Sequence, residues 1–176
     1  MEDAIAFAIE MNESVWKRLT ATLKDVTPQE AEWRPVPESN NINLIIRHLV
    51  VEAQWQLDAM RDGKPMPAEV SAEDQQLIDS LPLDDFDGNF QKLEKSCAGF
   101  IEALRGTKFA ELEEKGQTAY QEYRAAGVKP ELHFLGFHHA MHLSGHMGQI
   151  STLRNLYRKT RGEPALFFPD NPTYPK

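Results

Sequence analysis

The sequence has one cysteine, Cys97, in 176 residues, so no disulfide can close within the chain. That usage fits a reducing compartment. No apolar run approaches the roughly 18 residues that a helix needs to cross a bilayer. Clusters of lysine and arginine are missing too, and the net charge is −8. Together these exclude an electrostatic grip on nucleic acid or an anionic membrane. The acidic start, Met1-Glu2-Asp3-Ala4-Ile5, lacks the basic region of a signal peptide, and the cytoplasm is the expected compartment. No segment alternates apolar and polar residues at period two, and no repeat or low-complexity tract interrupts the chain.

What remains is the composition of a globular protein, 41 % hydrophobic and 26 % charged, with the length of a single domain. Ile5, Ala8, Ile9, Asn12, Val15, Trp16, Leu19 and Leu23 recur at helical spacing and predict a long helix over 3–25. Thr27-Pro28-Gln29-Glu30 offers a capping box for a short turn that Pro35 and Pro37 stop. Ser39, Asn40 or Asn41 can cap a second long helix reaching about Met60, with His48 near its middle. Residues 61–71 read as a crossing loop and 72–79 as one or two helical turns. Asp84 or Asp85 opens a third long helix with Phe86, Phe90, Leu93, Cys97, Phe100, Ile101 and Leu104 as its apolar stripe, and Gly106 is placed to end it. A short piece runs from Thr107 to Leu112, and 115–129 reads as irregular. Pro130 suits the first turn of a last helix that continues to about Lys159. The expected fold is therefore all-α, a four-helix bundle over 1–160 with short helices in its connections. A proline-rich tail, 161–176, carries Phe167, Phe168 and Tyr174 and is expected to cover the bundle or a dimer partner.

The histidines are concentrated. Five of the six lie between His133 and His146, and His138, His142 and His146 recur every fourth residue. On a helix each such step turns a side chain by only about 40° and lifts it about 6 Å, so the three form one ridge. Two imidazoles spaced i, i+4 can close on one transition metal. His138 lies two turns before His146, which leaves it a supporting or substrate-binding position. Gly145 and Gly148 flank His146 inside the helix at a cost of about 1 kcal/mol each relative to alanine, which points to the close approach of another helix or a ligand. A third ligand must come from elsewhere, and His48, among Ile45, Ile46 and Leu49, is the natural one. The competing reading makes His48 a core histidine bonded across the bundle. Glu52, one turn on, is placed to orient a ligand or act as a base. Cys97 reads as packing, His133 and His139 as structural or exposed, and Trp16, Trp33 and Trp55 as core.

Two stretches resemble a known family. Pro28-Gln29-Glu30-Ala31-Glu32-Trp33-Arg34-Pro35, followed by Asn41-Ile42-Asn43-Leu44-Ile45-Ile46-Arg47-His48-Leu49, is similar to the DinB/YfiT-like metalloenzymes of the DinB superfamily. His142-Leu143-Ser144-Gly145-His146-Met147-Gly148-Gln149 resembles the same family's His-x-x-x-His-x-Gly-Gln signature. The resemblance implies up-up-down-down connectivity and a divalent-metal site on His48, His142 and His146. Met147 and Gly145 depart from the common pattern, where arginine and histidine are frequent. It further implies a metal-dependent enzyme on a small molecule, of the thiol-dependent transferase type, with zinc or nickel as the metal, a low-molecular-weight thiol as a cofactor and a homodimer as the assembly. A hydrolase using metal-bound hydroxide and a non-catalytic metal-binding or stress-response protein are the alternatives. Glu52 and His138 are the candidate catalytic residues.

Overall fold

The computed structural model describes residues 2–82 and 85–166. Asp84 and the tail from Phe167 onward, including Tyr174, lie outside the described residues. Within them every regular element is helical. Four helices are long: α1 (Glu2–Leu23), α3 (Ile42–Asp62), α5 (Phe86–Arg105) and α8 (Leu135–Thr160). Four shorter ones fill the connections: α2 (Pro28–Glu32), α4 (Ala72–Ser80), α6 (Phe109–Ala119) and α7 (Gln121–Ala125). The expected all-α class holds.

The caps show why the chain breaks where it does. The Asn41 side chain accepts from Leu44 N at 2.8 Å and starts α3. Gly63 ends it in the left-handed conformation, φ 64°, which glycine adopts without steric cost. Asp85 caps α5 through Gly88 N at 2.9 Å. Gly106 does follow α5, but with a right-handed φ of −82°, so its freedom goes unused. The region read as irregular, 115–129, instead holds the second half of α6 and all of α7. Gly116 sits inside α6 because α6 packs against the turn Leu132–Phe134: a Cβ at this position would lie 2.2 Å from the Leu132 carbonyl oxygen. That 3-10 turn also delays the start of α8 to Leu135, past Pro130.

The long helices pack around a shared interior, α1 against α8 and α5, and α3 against α5 and α8. One apolar cluster holds Leu19, Ile46, Leu49, Leu93, Cys97, Leu143 and Ile150. A second, toward the other end, holds Met60, Phe100, Leu104, Leu112, Tyr120 and Leu135. Trp16, Trp33 and Trp55 are half-buried rather than core; Trp16 stacks on Phe90 and Trp33 meets Tyr157 edge-on.

Cross-helix contacts give the relative directions. Asn12 reaches the Gly136 carbonyl and Thr22 the Arg154 guanidinium, so α1 and α8 run parallel. Gln54 meets Ser96 and Leu57 lies against Gly99, so α3 and α5 run parallel. His48 meets His142 while Gln56 meets His139, so α3 and α8 run antiparallel. Taken in chain order the four run up, down, down, up, which corrects the up-up-down-down expectation. The crossing connection 63–85, carrying α4, is long enough to return the chain to the end of the molecule where α3 began.

The ends of α1, α2 and α8 meet at one buried ion pair. Arg154 Nε donates to Glu30 Oε1 at 2.7 Å, and its Nη1 donates to the Thr22 and Lys24 carbonyls at 2.6 and 3.0 Å. Thr27 caps α2 as expected, accepting from Glu30 N. The Glu30 carboxylate, however, serves Arg154 instead of closing a capping box. Removing one partner strands a buried charge, so Glu30→Ala should lower unfolding free energy by about 3–5 kcal/mol in urea titration. The glycines divide in the same assay. Gly116→Ala should cost about 1–3 kcal/mol through overpacking. Gly148→Ala, with no neighbouring atom within 4 Å of the added carbon, should add up to about 1 kcal/mol from helix propensity.

Candidate metal centre

α3 and α8 cross so that His48 faces two successive turns of α8. His48 Nε2 lies 3.3 Å from His142 Nε2, and His142 Nε2 lies 3.1 Å from His146 Nε2. All three donor atoms fall within 4.8 Å of one another, and all three residues are half-buried. Among the described residues this is the group with metal-ligand geometry. Hydrogen bonds do not account for it. A neutral imidazole nitrogen either donates one proton or accepts on one lone pair, so His142 Nε2 cannot properly serve two neighbours at once. A tetrahedral ion with bonds of about 2.0–2.1 Å sets its ligand nitrogens about 3.3–3.4 Å apart. The two measured separations fall close to that spacing, and the donor set fits a divalent transition metal.

The protonation states agree. Burial, aided by His146, lowers His48 to about 4. Burial, then the neighbouring imidazoles, lowers His142 to about 3. Burial also lowers His146, with Gln149 pulling the other way. The lone pairs are therefore bare at neutral pH. His146 Nδ1–H donates to Gln149 Oε1 at 3.0 Å, which leaves Nε2 as the free nitrogen.

Glu52 stands beside this group. Its Oε1 is 4.0 Å from His48 Nε2, and burial raises its carboxyl to about 7, with Gln56 lowering it and Asp74 raising it further. Behind Glu52 runs a buried polar chain. His139, kept neutral by burial, donates from Nδ1 to Gln56 Oε1 at 2.6 Å and lies tilted against Phe100, ring centroids 4.6 Å apart. Tyr123 lies on another side, its hydroxyl raised by burial and then by Glu52.

The structure brings together three of the residues singled out in sequence and sets others apart. His138 does not join the triad; it lies among Tyr120, Phe134 and Tyr123, with Nδ1 3.3 Å from the Tyr120 hydroxyl. His139 is buried and structural. Cys97 is buried, and burial pushes its thiol far up. The side chain of His133 lies outside the described residues. Among the described residues Gly145 and Gly148 meet no other helix: no atom comes within 4 Å of a Cβ built at either, so of the two reasons expected for them, the approach of another helix does not hold. Sequence reasoning assigned no role to Gln56, Gln149 or Tyr123. Gln149 carries a readable signal, three residues after His146 and so on its face of the helix; Gln56 follows Glu52 by one turn; Tyr123 carries none.

Stability should record the buried imidazoles. Unfolded, they take up protons near pH 6.5; folded, His48 waits until about pH 4 and His142 and His139 until about pH 3. Between those limits the unfolded chain binds more protons, so acidification destabilises the fold. Glu52 opposes this, because its raised pKa favours protonation in the folded state, but it is one group against three. The melting temperature of metal-free protein should fall from pH 6.5 to pH 4, with a shallower slope in His142→Gln.

Comparison with known proteins places this geometry. The family model of the DinB superfamily matches residues 11–150, a span that takes in the second half of α1, all of α3 and α5, and all three converging histidines. Neither a curated protein nor a solved structure matches the chain. No helix among the described residues is long and apolar enough to cross a membrane. With a family match over most of its length and the three histidines gathered within it, the chain belongs to the DinB superfamily.

Proposed function

We propose that this protein is a divalent-metal-dependent enzyme acting on a small molecule, with His48, His142 and His146 as the ligands. The observation that carries the reading is the approach of one ring nitrogen from each of three histidines, on two helices, to within 4.8 Å. Three protein nitrogens leave an open coordination position, the arrangement of a catalytic rather than a structural site. Zinc or nickel suits an all-imidazole set. Bound there, the metal would act as a Lewis acid and lower the pKa of a coordinated water or thiol.

The chain's own groups supply orientation. Gln149 holds the His146 ring. Gln56, anchored by His139, backs the Glu52 carboxylate, which stands next to the open side of the triad to accept a hydrogen bond or a proton from whatever enters. The family resemblance favours a thiol-dependent transferase, with a low-molecular-weight thiol as the co-substrate. Glu52 favours a second reading, a hydrolase, because a carboxylate at that position suits a general base for water. The same resemblance supports a closed four-helix bundle, a homodimer and a cytoplasmic setting.

Elemental analysis of tag-free protein should find about one metal per chain, lost in His48→Ala and in His142→Ala. Metal-free protein whose variants behave like wild type would refute the centre. Holo-protein incubated with a panel of electrophiles should consume them only when a small thiol is present. Consumption that does not depend on thiol would favour the hydrolase.

A further inference from the structure

A cleft on the far side of α3 from the histidines is lined by three helices. Two residues along α3 turn a side chain by about 200°, so Val50 and Gln54 face away from His48 and Glu52. Val50, Val51 and Leu57 are its buried lining on α3. Leu77 of α4, 51 % exposed, and Leu81 just beyond that helix add further apolar surface. α5 supplies the rest through Lys92, Lys95, Ser96 and Gly99. The volume is about 600 Å³, that of a small-molecule site rather than the broad area of a subunit seam.

Its charge is one-sided. Arg61, Lys92 and Lys95 line it, and no aspartate or glutamate does among the described residues, in a chain whose net charge is −8. Arg61 is answered by Asp62 at 3.2 Å. Lys92 and Lys95 have no ion-pair or hydrogen-bond partner among the described residues. The neutral polar groups are already bonded: Ser96 donates to Gln54 Oε1 at 3.1 Å, and the Gln54 amide donates to Asp58 at 2.7 Å. The unanswered charge is therefore that of two ammonium groups one turn apart on α5. Gln54 meets Ser96 and Leu57 meets Gly99, so this register sets Lys92 level with Val50. From Val50 to Arg61 α3 rises about 16 Å, room for an unbranched alkyl chain of medium length along the helix.

We propose that this cleft binds a medium-chain fatty carboxylate, its alkyl chain against Val50, Val51, Leu57 and Leu77 and its head group between Lys92 and Lys95. An unbranched amphiphile with one negative charge satisfies both halves of the lining at once. Its chain covers the valines and leucines, and its carboxylate meets cations that the fold leaves unpaired. The site is independent of the three-histidine centre, which lies on the other face of α3.

Isothermal titration calorimetry tests this on full-length, chelator-treated protein. The probes are butyrate, hexanoate, octanoate and decanoate below their micelle concentrations, with octanol and octylammonium for comparison. Decanoate should saturate a single site, and affinity should rise about two- to fourfold for each added methylene. Octanoate should bind about tenfold more tightly than octanol, and octylammonium not at all. Lys92→Glu combined with Lys95→Glu should weaken octanoate at least about tenfold and leave octanol unchanged, whereas Leu77→Ser should weaken both. All three positions are exposed, so the core is untouched, and circular dichroism checks that each variant is folded. Lys159→Glu, outside the cleft, should bind like wild type. Octanol that matches octanoate, or a lysine reversal without effect, would overturn the proposal. So would a lack of saturation, whether sedimentation shows a second copy covering the cleft or binding returns only when metal is restored, which would assign the carboxylate to the metal centre. Either failure leaves the three histidines as they were.

Discussion

Everything functional in this molecule depends on the antiparallel crossing of α3 and α8. Ile45, Ile46 and Leu49 on one helix and Leu143, Met147 and Ile150 on the other are buried in the same apolar cluster. Burying side chains of this size stabilises by about 1.5–3 kcal/mol each, so the core, not the histidines, fixes how the two helices meet. His48 lies just before Leu49, and His142 just before Leu143. Packing that sets the leucines inside therefore sets the imidazoles at the edge of the core, facing one another. The site is a by-product of the packing register, and a slip of one turn along either helix would take it apart.

The electrostatics of that edge are unusual for an acidic protein. Burial disfavours protonation of three imidazoles, and among the described residues the half-buried carboxylate beside them is paired only with His48. Elsewhere the same fold does supply a cation: Glu30, more deeply buried, is met by Arg154 with two carbonyl acceptors to complete the guanidinium's bonds. The contrast between the two glutamates separates structure from function. Where the carboxylate only ties elements together, its partner is built in. Where it flanks the histidines, it is paired with an imidazole alone among the described residues.

Much of this was legible in the residues, and the failures have physical causes. The four long helices follow from apolar spacing; Asn41 and Asp85 mark the caps of two of them and Thr27 that of the short α2, because short polar side chains satisfy free backbone N–H groups. The stretch 115–129 reads as irregular because its helices are short, and Gly116 within α6 makes room for the Leu132 backbone, sixteen residues on, which local spacing does not show. Gly145 and Gly148 are met by no helix among the described residues, so one of the two reasons expected for them falls away. His138 shares the four-residue rhythm of its neighbours, but rhythm gives only the face of α8, and two turns of helix carry it away from the triad into a ring of aromatic side chains.

The sequence by itself determined the helical class, the apolar stripes and the i, i+4 histidine pair, because each is a matter of local spacing along a helix of known pitch. It could also nominate His48 as the partner, there being no other histidine outside the cluster. Only the tertiary structure decided the order of directions, the pairing of Glu30 with Arg154, and the placing of Gln56 and Tyr123 near Glu52. Those depend on which helices become neighbours and how far each is shifted along the next, and contacts between residues tens of positions apart leave no period in the chain from which to read them.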